Sequence, residues 1–325
     1  MVTKGFYKNY LFQRIAYIFI LLILCLISIQ IGAKDFSIAG LLKNNTEDTF
    51  ILIISRLPRV LSIIITGAGL SIAGLIMQTI TNNRFVAPST AGTMEWCKLG
   101  VLIAIMFFGS SSQYLKIIVA FIVALIGNVI FMTILRNIKF KNALMLPLIG
   151  MMMGSVVSSL TTFFAYKFDL VQNISSWLQG SFSLVIKGSY EILYIGIICV
   201  IIAYIFANKF TIASMGEEMA VNLGLDYKKV VAIGMAIVSF ITSLIVVTIG
   251  SISFVGLIIP NIITMIKGDS IKNTLFDTAI FGAIFVLFCD IIGRILIYPY
   301  EVSVSTVISV FGSIIFLIIL LKKEK

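Results

Sequence analysis

Histidine is absent from this chain, and its four cysteines, Cys25, Cys97, Cys199 and Cys289, stand far apart without a CxxC spacing. A metal site or a disulfide framework therefore has no recognisable ligand pattern, and buried structural thiols are the expectation. Charge is scarce as well. Charged residues make up 12% of the chain and hydrophobic residues 60%, with a mean hydropathy of +1.12, whereas a soluble domain carries about a quarter charged residues. These proportions describe a polytopic membrane protein. No stretch shows the ten-residue alternation of an outer-membrane barrel, so the spans are helices and the fold class is all-α. Linkers rich in proline, glycine or serine are also missing, and residues 1–325 read as a single transmembrane domain.

The apolar runs predict about ten transmembrane helices, at 11–31, 57–79, 94–108, 114–135, 142–166, 190–207, 229–249, 254–266, 275–297 and 304–321. The third and eighth fall short of the roughly 20 residues needed to span, which implies a tilted, broken or re-entrant backbone buried in protein or lining a cavity. The basic stretch before the first run resembles a secretory signal, but the run is long and lacks a small-x-small cleavage site, so an uncleaved helix is expected. An inside N-terminus puts fifteen basic residues in the cytosol, among them Lys4, Lys8, Arg14, Arg136, Lys139, Lys141 and Lys325, against seven outside, including Lys34 and Lys43. Both termini are then cytosolic. The net charge of +10 follows from this topology and, spread along membrane borders, does not describe a nucleic-acid surface.

One polar insert breaks the hydrophobic pattern: SMGEEMAVNLGLDYKK, residues 214–229. Glu217 and Glu218 sit at the start of a short helix, Ala220 is small, and Gly224 is able to take positive φ and reverse the chain. Such a unit suits either a solvated loop or a docking element for a soluble partner. Elsewhere, Gly67, Ala68, Gly69, Ser71, Ala73 and Gly74 predict a close helix contact on the second span. At its inner end Gln78, Asn82, Asn83 and Pro88 are candidates for a gate. Met151 to Met153 with Phe163 and Phe164 offer soft surface, for which packing or lipid contact is the simpler reading. Glu95 with Lys98 and Asp290 with Arg294 have the spacing of helical ion pairs. The halves containing GAGLSIAGLIMQTITNNRFVAPS and TIGSISFVGLIIPNIITMIKGDS resemble each other weakly, in the manner of inverted repeats.

Four motifs together resemble the FecCD family of iron-siderophore and vitamin B12 permeases: RLPRVLSIIITGAGLSIAGLIMQTITNNRFVAPSTAG from Arg56, SMGEEMAVNLGLD from Ser214, GSISFVGLIIPNI from Gly250, and CDIIGRILIYPYEVSVSTVISVFGSIIFLIILL from Cys289. The resemblance runs from about residue 11 to the end. It implies a vitamin B12 permease-like, type II fold for a membrane subunit of an ATP-binding-cassette importer, located in the cytoplasmic membrane. Its implied partners are a second permease subunit, identical or paralogous, two cytosolic ATPases and an extracytoplasmic siderophore-binding protein. NNRFVAPSTAGTMEWCKLG is closest to the branch handling ferric siderophores, particularly catecholates; cobalamin or haem import remains open, as do an ion-coupled carrier and an integral-membrane enzyme.

The resemblance also distributes roles. Gly216, Glu217, Glu218, Ala220, Leu223 and Gly224 would couple to the ATPase, as in an EAA-type loop. Arg56, Arg59 and Arg294 would meet carboxylates on the binding protein, although membrane-boundary anchoring explains Arg56 and Arg59 and an ion pair with Asp290 explains Arg294. Pro260 and Asn261, with Gln78, Asn82, Asn83 and Pro88, would line the translocation path or gate. The family often has histidine where Asn261 stands, so a proton or metal role there is not expected. No GxxxxGK[ST] loop exists, hence the chain binds no cofactor of its own and ATP with Mg²⁺ belongs to the partner ATPase.

Overall fold

A computed structural model describes residues 2–32, 46–109, 112–137, 145–268 and 270–323. Lys34, Lys43, Lys139, Lys141 and Lys325, which enter the charge bias, lie outside the described residues. The long helices are α1 (Val2–Gln30), α2 (Thr46–Ile80), α3 (Thr93–Phe108), α4 (Gln113–Asn137) and α5 (Met145–Lys167). After a short α6 (Val171–Leu178) come α7 (Ile195–Ala213), the small α8 (Glu217–Asn222), α9 (Tyr227–Thr248), α10 (Val255–Lys267), α11 (Ile271–Ile295) and α12 (Val304–Lys323). Over its described residues, each of the ten expected spans is largely helical. Eight are long and apolar enough to cross a membrane; α3 and α10, the third and eighth, are the short ones. Among the described residues there is no strand beyond one isolated bridge, Ile297 with Tyr300.

Helix α2 is the hub, packed against α11, α10, α9 and α7. Its small residues permit this. A Cβ on Gly67 would lie 2.5 Å from the Gly282 carbonyl oxygen, and one on Gly74 would overlap the Gly256 backbone. Backbones this close gain dispersion contacts that lipid cannot match, which is how helices associate in a solvent as apolar as themselves. The expected close contact is therefore made with two different helices, α11 and α10.

The start of α2 differs from expectation by about three turns. The second span is expected over 57–79, yet the helix begins at Thr46 and passes through a π-helical stretch, Leu52–Arg56, before Pro58. Proline has no N–H to give the carbonyl four residues earlier. That carbonyl, on Ile54, instead accepts a bond of 2.9 Å from the Lys187 amide. A distant loop thus supplies the donor that proline removed, and the helix continues.

Candidate functional site

The polar insert folds as a helix-turn unit. Gly216, at φ +99°, precedes α8, and Gly224, at φ +79°, follows it. The Leu225 amide bonds back to the Ala220 carbonyl at 2.9 Å, closing the helix end around the left-handed glycine. Asp226 then caps α9, accepting from the Lys229 amide at 3.2 Å and pairing with its ammonium at 2.8 Å. Those contacts, the side-chain bond foremost, hold the Asp226 carboxyl below its ordinary range.

The faces of α8 are sharply divided. Ala220 is fully buried, while Met215, Met219, Val221 and Leu223 are each more than half exposed, with Glu217 and Glu218 also exposed. Four large apolar side chains in nine residues of a polar turn form a surface with partner-like composition. Of this row the sequence reading singles out only Leu223. Met215, Met219 and Val221 are legible afterwards as apolar residues flanking the buried Ala220.

Gate candidates gather around α10. Pro260 lies inside that helix and leaves the Gly256 carbonyl without its usual donor. The Gln78 amide reaches over from α2 to Gly256 at 3.4 Å and to Leu257 at 3.1 Å, covering the gap. Asn261 donates at 2.7 Å both to the Leu257 carbonyl and to the Arg84 carbonyl, fastening α10 to the loop after α2. In that loop Asn83 accepts from the Phe85 amide at 2.8 Å, and Asn82 adopts a left-handed φ of 48°. Gln78, Asn83, Pro88, Pro260 and Asn261 are buried, and Asn82 is exposed. The structure thus brings the group together as a fastening between α2 and α10, with Asn82 at its open edge.

A hydroxyl row not singled out in the sequence lies on α5. Ser155, Ser158, Ser159, Thr162, Phe163 and Tyr166 line an open groove. The hydroxyls of Ser155, Ser159 and Thr162 bond their own helix four residues back, at 2.9 Å each. They need no other partner and still present oxygen to whatever occupies the groove. Met151, Met152 and Phe163 flank the row and are exposed, and Phe163 meets Phe164 edge to face.

The three arginines also converge, though inward. Arg59 contacts Asp290 at 2.8 Å and Glu301 at 2.9 Å. Arg294 pairs with Asp290 at 2.7 Å and donates to the Ser28 and Ile31 carbonyls at 2.9 and 2.7 Å. Arg56 also donates to the Ile31 carbonyl. Arg56 and Arg294 are buried, at 7% and 3% exposure; both close the end of α1, and Arg294 makes the ion pair with Asp290 that its spacing suggested. Arg59, half-buried beside Glu301, is nearest the surface. A second cluster went unforeseen. Asp277, fully buried, receives Lys267 at 2.7 Å and Arg14 at 3.4 Å. The Glu95–Lys98 pair forms as expected, at 2.7 Å.

With no group of three or more ligating side chains among the described residues, the arrangement is one of helices, fastenings and an exposed polar turn that carries a row of apolar side chains. The FecCD transport family model matches residues 20–322. The chain belongs to the FecCD transport family. It is 54% identical over 313 residues to the petrobactin import system permease protein YclN of Bacillus subtilis (strain 168), covering 96% of this chain and 99% of that protein. It is 39% identical to the ferric-anguibactin transport system permease protein FatD of Vibrio anguillarum (strain ATCC 68554 / 775), over 93% of this chain and 96% of that one. A metal-chelate type ABC transporter solved in an inward-facing conformation superposes with a TM-score of 0.81 at 25% identity, covering 95% of this chain and 98% of its own. This FecCD chain is a multi-pass membrane permease, a transport subunit rather than an enzyme.

Proposed function

We propose that this FecCD permease moves a ferric siderophore into the cytoplasm as the membrane subunit of an ATP-binding-cassette importer. The observation that carries the cargo assignment is the near full-length similarity to a petrobactin permease, joined by the similarity to a ferric-anguibactin permease. Two permease subunits, two cytosolic ATPases and an extracytoplasmic binding protein complete the transporter, with ATP and Mg²⁺ held by the ATPases and both permease termini in the cytosol. A chelate carried whole requires no iron ligand from the permease, in keeping with a chain that has no histidine.

The exposed row Met215, Met219, Val221 and Leu223, with Glu217 and Glu218 beside it, is the ATPase contact. Buried Ala220 and left-handed Gly224 fix its shape. When the ATPases close on ATP, the segment 214–229 moves with them, and the permease alternates between outward and inward access. The hydroxyl row of α5 forms one wall of the path, and Asn82 lies at the gate whose frame is Gln78, Asn83, Pro88, Pro260 and Asn261. Weak hydroxyl contacts suit passage, since a tight midplane site would oppose release. On the outer face Arg59 and Glu301 meet the binding protein, backed by Arg56 and Arg294.

Uptake of radioactive iron as ferric catecholate chelates tests the cargo. Cells lacking the gene and any second importer lose uptake, and the wild-type gene restores it. Unchanged uptake on deletion overturns the siderophore assignment and makes cobalamin or haem the next cargo to assay.

A further inference from the structure

At the end of α11 opposite Arg294, the first turns of that helix expose Lys272, Asn273 and Phe276, and Lys272 and Phe276, four residues apart, share one face. Arg14 of α1 lies across this face. Its guanidinium stands 5.4 Å from the centre of the Phe276 ring and donates through Nη2 to the Asn273 carbonyl at 3.2 Å. Its Nε faces one oxygen of Asp277 at 3.4 Å, while Lys267 makes the shorter contact, 2.7 Å, to the other oxygen. The Arg14 Nη1 has no partner among the described residues, and neither has the Lys272 ammonium. Three cations thus gather around one carboxylate. Asp269, which lies outside the described residues, leaves the cations in the majority even when it is counted. Helix α1 brings no acid either, since residues 2–30 contain none.

We infer that this face binds an anionic phospholipid, its phosphodiester held between the Arg14 guanidinium and the Lys272 ammonium and its acyl chains lying along Phe276 and Ile18. The setting selects a lipid. Helices α1 and α11 are candidate membrane spans, Phe276 and Ile18 are exposed, and basic side chains at the end of a span reach the headgroup level. Ile18 follows Arg14 by four residues, so the two share a face of α1. The surplus of positive charge selects the headgroup. A zwitterionic lipid brings its own ammonium, which would meet three cations and one carboxylate, Asp277, that is fully buried and already holds Lys267. An anionic headgroup has no such group to place, and its phosphate oxygens accept charge-assisted bonds from both side chains. The lipid also has a structural consequence. Only 6% of the membrane window of α1 is buried, so few contacts hold that helix to the bundle. A phosphate shared by Arg14 and Lys272 ties α1 to α11 a second time, beside the Arg14–Asp277 pair. The site rests on the membrane placement of α1 and α11 and not on the cargo, so a negative siderophore assay leaves it standing.

The test uses the transporter purified with its partner subunits and reconstituted in phosphatidylcholine vesicles containing a trace of phosphatidylglycerol with a photoreactive group in its acyl chain. After irradiation and proteolysis, labelling concentrates in the segments 14–18 and 272–280, well above that of other lipid-exposed helices such as α7 and α12. Unlabelled phosphatidylglycerol displaces it. Phosphatidylethanolamine does not, and neither does glycerol phosphate, a soluble source of the same anion. Lys272→Glu, at an exposed position, lowers labelling of these segments about fivefold or more, as expected for a basic residue beside an anionic headgroup. Arg14→Gln does the same, and because Arg14 also faces Asp277, the Lys272 variant keeps the test valid if the Arg14 variant misfolds. Labelling spread evenly over the lipid-facing helices, displacement by phosphatidylethanolamine as readily as by phosphatidylglycerol, displacement by glycerol phosphate, or labelling unchanged in Lys272→Glu would each overturn the site.

Discussion

Arg59 on α2 and Asp290 on α11, 231 positions apart, meet through two contacts to a single carboxylate oxygen, Nη2 at 2.8 Å and Nε at 3.3 Å from Oδ1. The other oxygen of Asp290 faces Arg294 at 2.7 Å, so one buried carboxylate holds two guanidinium groups. Arg294 in turn closes the end of α1 through Ser28 and Ile31. Three helices from opposite ends of the chain are locked at one rim by a single acidic side chain. The opposite end of α11 repeats the device, with Asp277 between Lys267 of α10 and Arg14 of α1.

Replacing Asp290 with alanine leaves two arginines facing each other in a buried site. Breaking a buried pair by removing one partner costs about 3–5 kcal/mol, and thermal unfolding of the detergent-solubilised permease should drop accordingly. The double replacement Asp290→Leu with Arg294→Leu removes both a carboxylate and a guanidinium and recovers part of that loss. A double variant as unstable as Asp290→Ala would mean that the α1 contacts of Arg294, rather than its charge pairing, dominate.

Gly74→Val is expected to abolish assembly of the folded permease, because its Cβ has no room against the Gly256 backbone. The neighbouring Gly69 makes a useful contrast. A Cβ there meets only the ends of the Ile241 and Ile245 side chains, at 3.1 and 3.4 Å. Gly69→Ala should therefore yield protein that elutes as a single species on size exclusion, where Gly74→Val does not.

Gln78→Leu removes the donor that covers the Gly256 carbonyl left open by Pro260. An unsatisfied buried carbonyl costs about 1–3 kcal/mol, so the variant should unfold at a lower temperature, and adding Pro260→Ala, which restores an N–H to the helix, should reverse much of the effect. Additive losses in the double variant would show that the two residues are not compensating each other.

How far the sequence speaks depends on the range of the interaction. Ten helices were legible because each is an uninterrupted apolar run, and α3 and α10 were recognisable as short for the same reason. Asp290 with Arg294, and Glu95 with Lys98, were legible because three- and four-residue spacings place side chains on one helix face. The partners Arg59 and Lys267 were not, since a hydropathy pattern records which face is apolar and not which helix lies opposite. The start of α2 at Thr46 rather than 57 escaped for a related reason: the Lys187 amide that answers the Ile54 carbonyl ahead of Pro58 is remote in sequence. The hydroxyl row of α5 was hidden because serine and threonine, bonded to their own helix, leave the hydropathy of a span nearly unchanged.

The cap on α9 sets a pH expectation. Asp226 has a depressed folded-state pKa, so its stabilising contacts are fully present above the ordinary carboxylate value, about 4, and are lost as pH falls through the depressed value. Neutral and mildly acidic media therefore leave the turn capped. Asp226→Asn, which keeps an accepting oxygen, should show proteolytic resistance across residues 214–229 close to that of wild type. Asp226→Ala should be cut faster; equal rates for all three proteins would remove the capping role.

The central claim is that an external ATPase drives this permease through the 214–229 segment, and uptake by a Glu218→Arg variant tests it most directly. Measured as ferric catecholate import in cells without the native gene, and at membrane levels matched to wild type, the variant should lose at least about tenfold in rate, the equivalent of about 1.4 kcal/mol at a contact centre. The ATPase should also no longer co-purify with the permease. Wild-type uptake and undiminished ATPase capture by a correctly inserted Glu218→Arg protein would contradict the account.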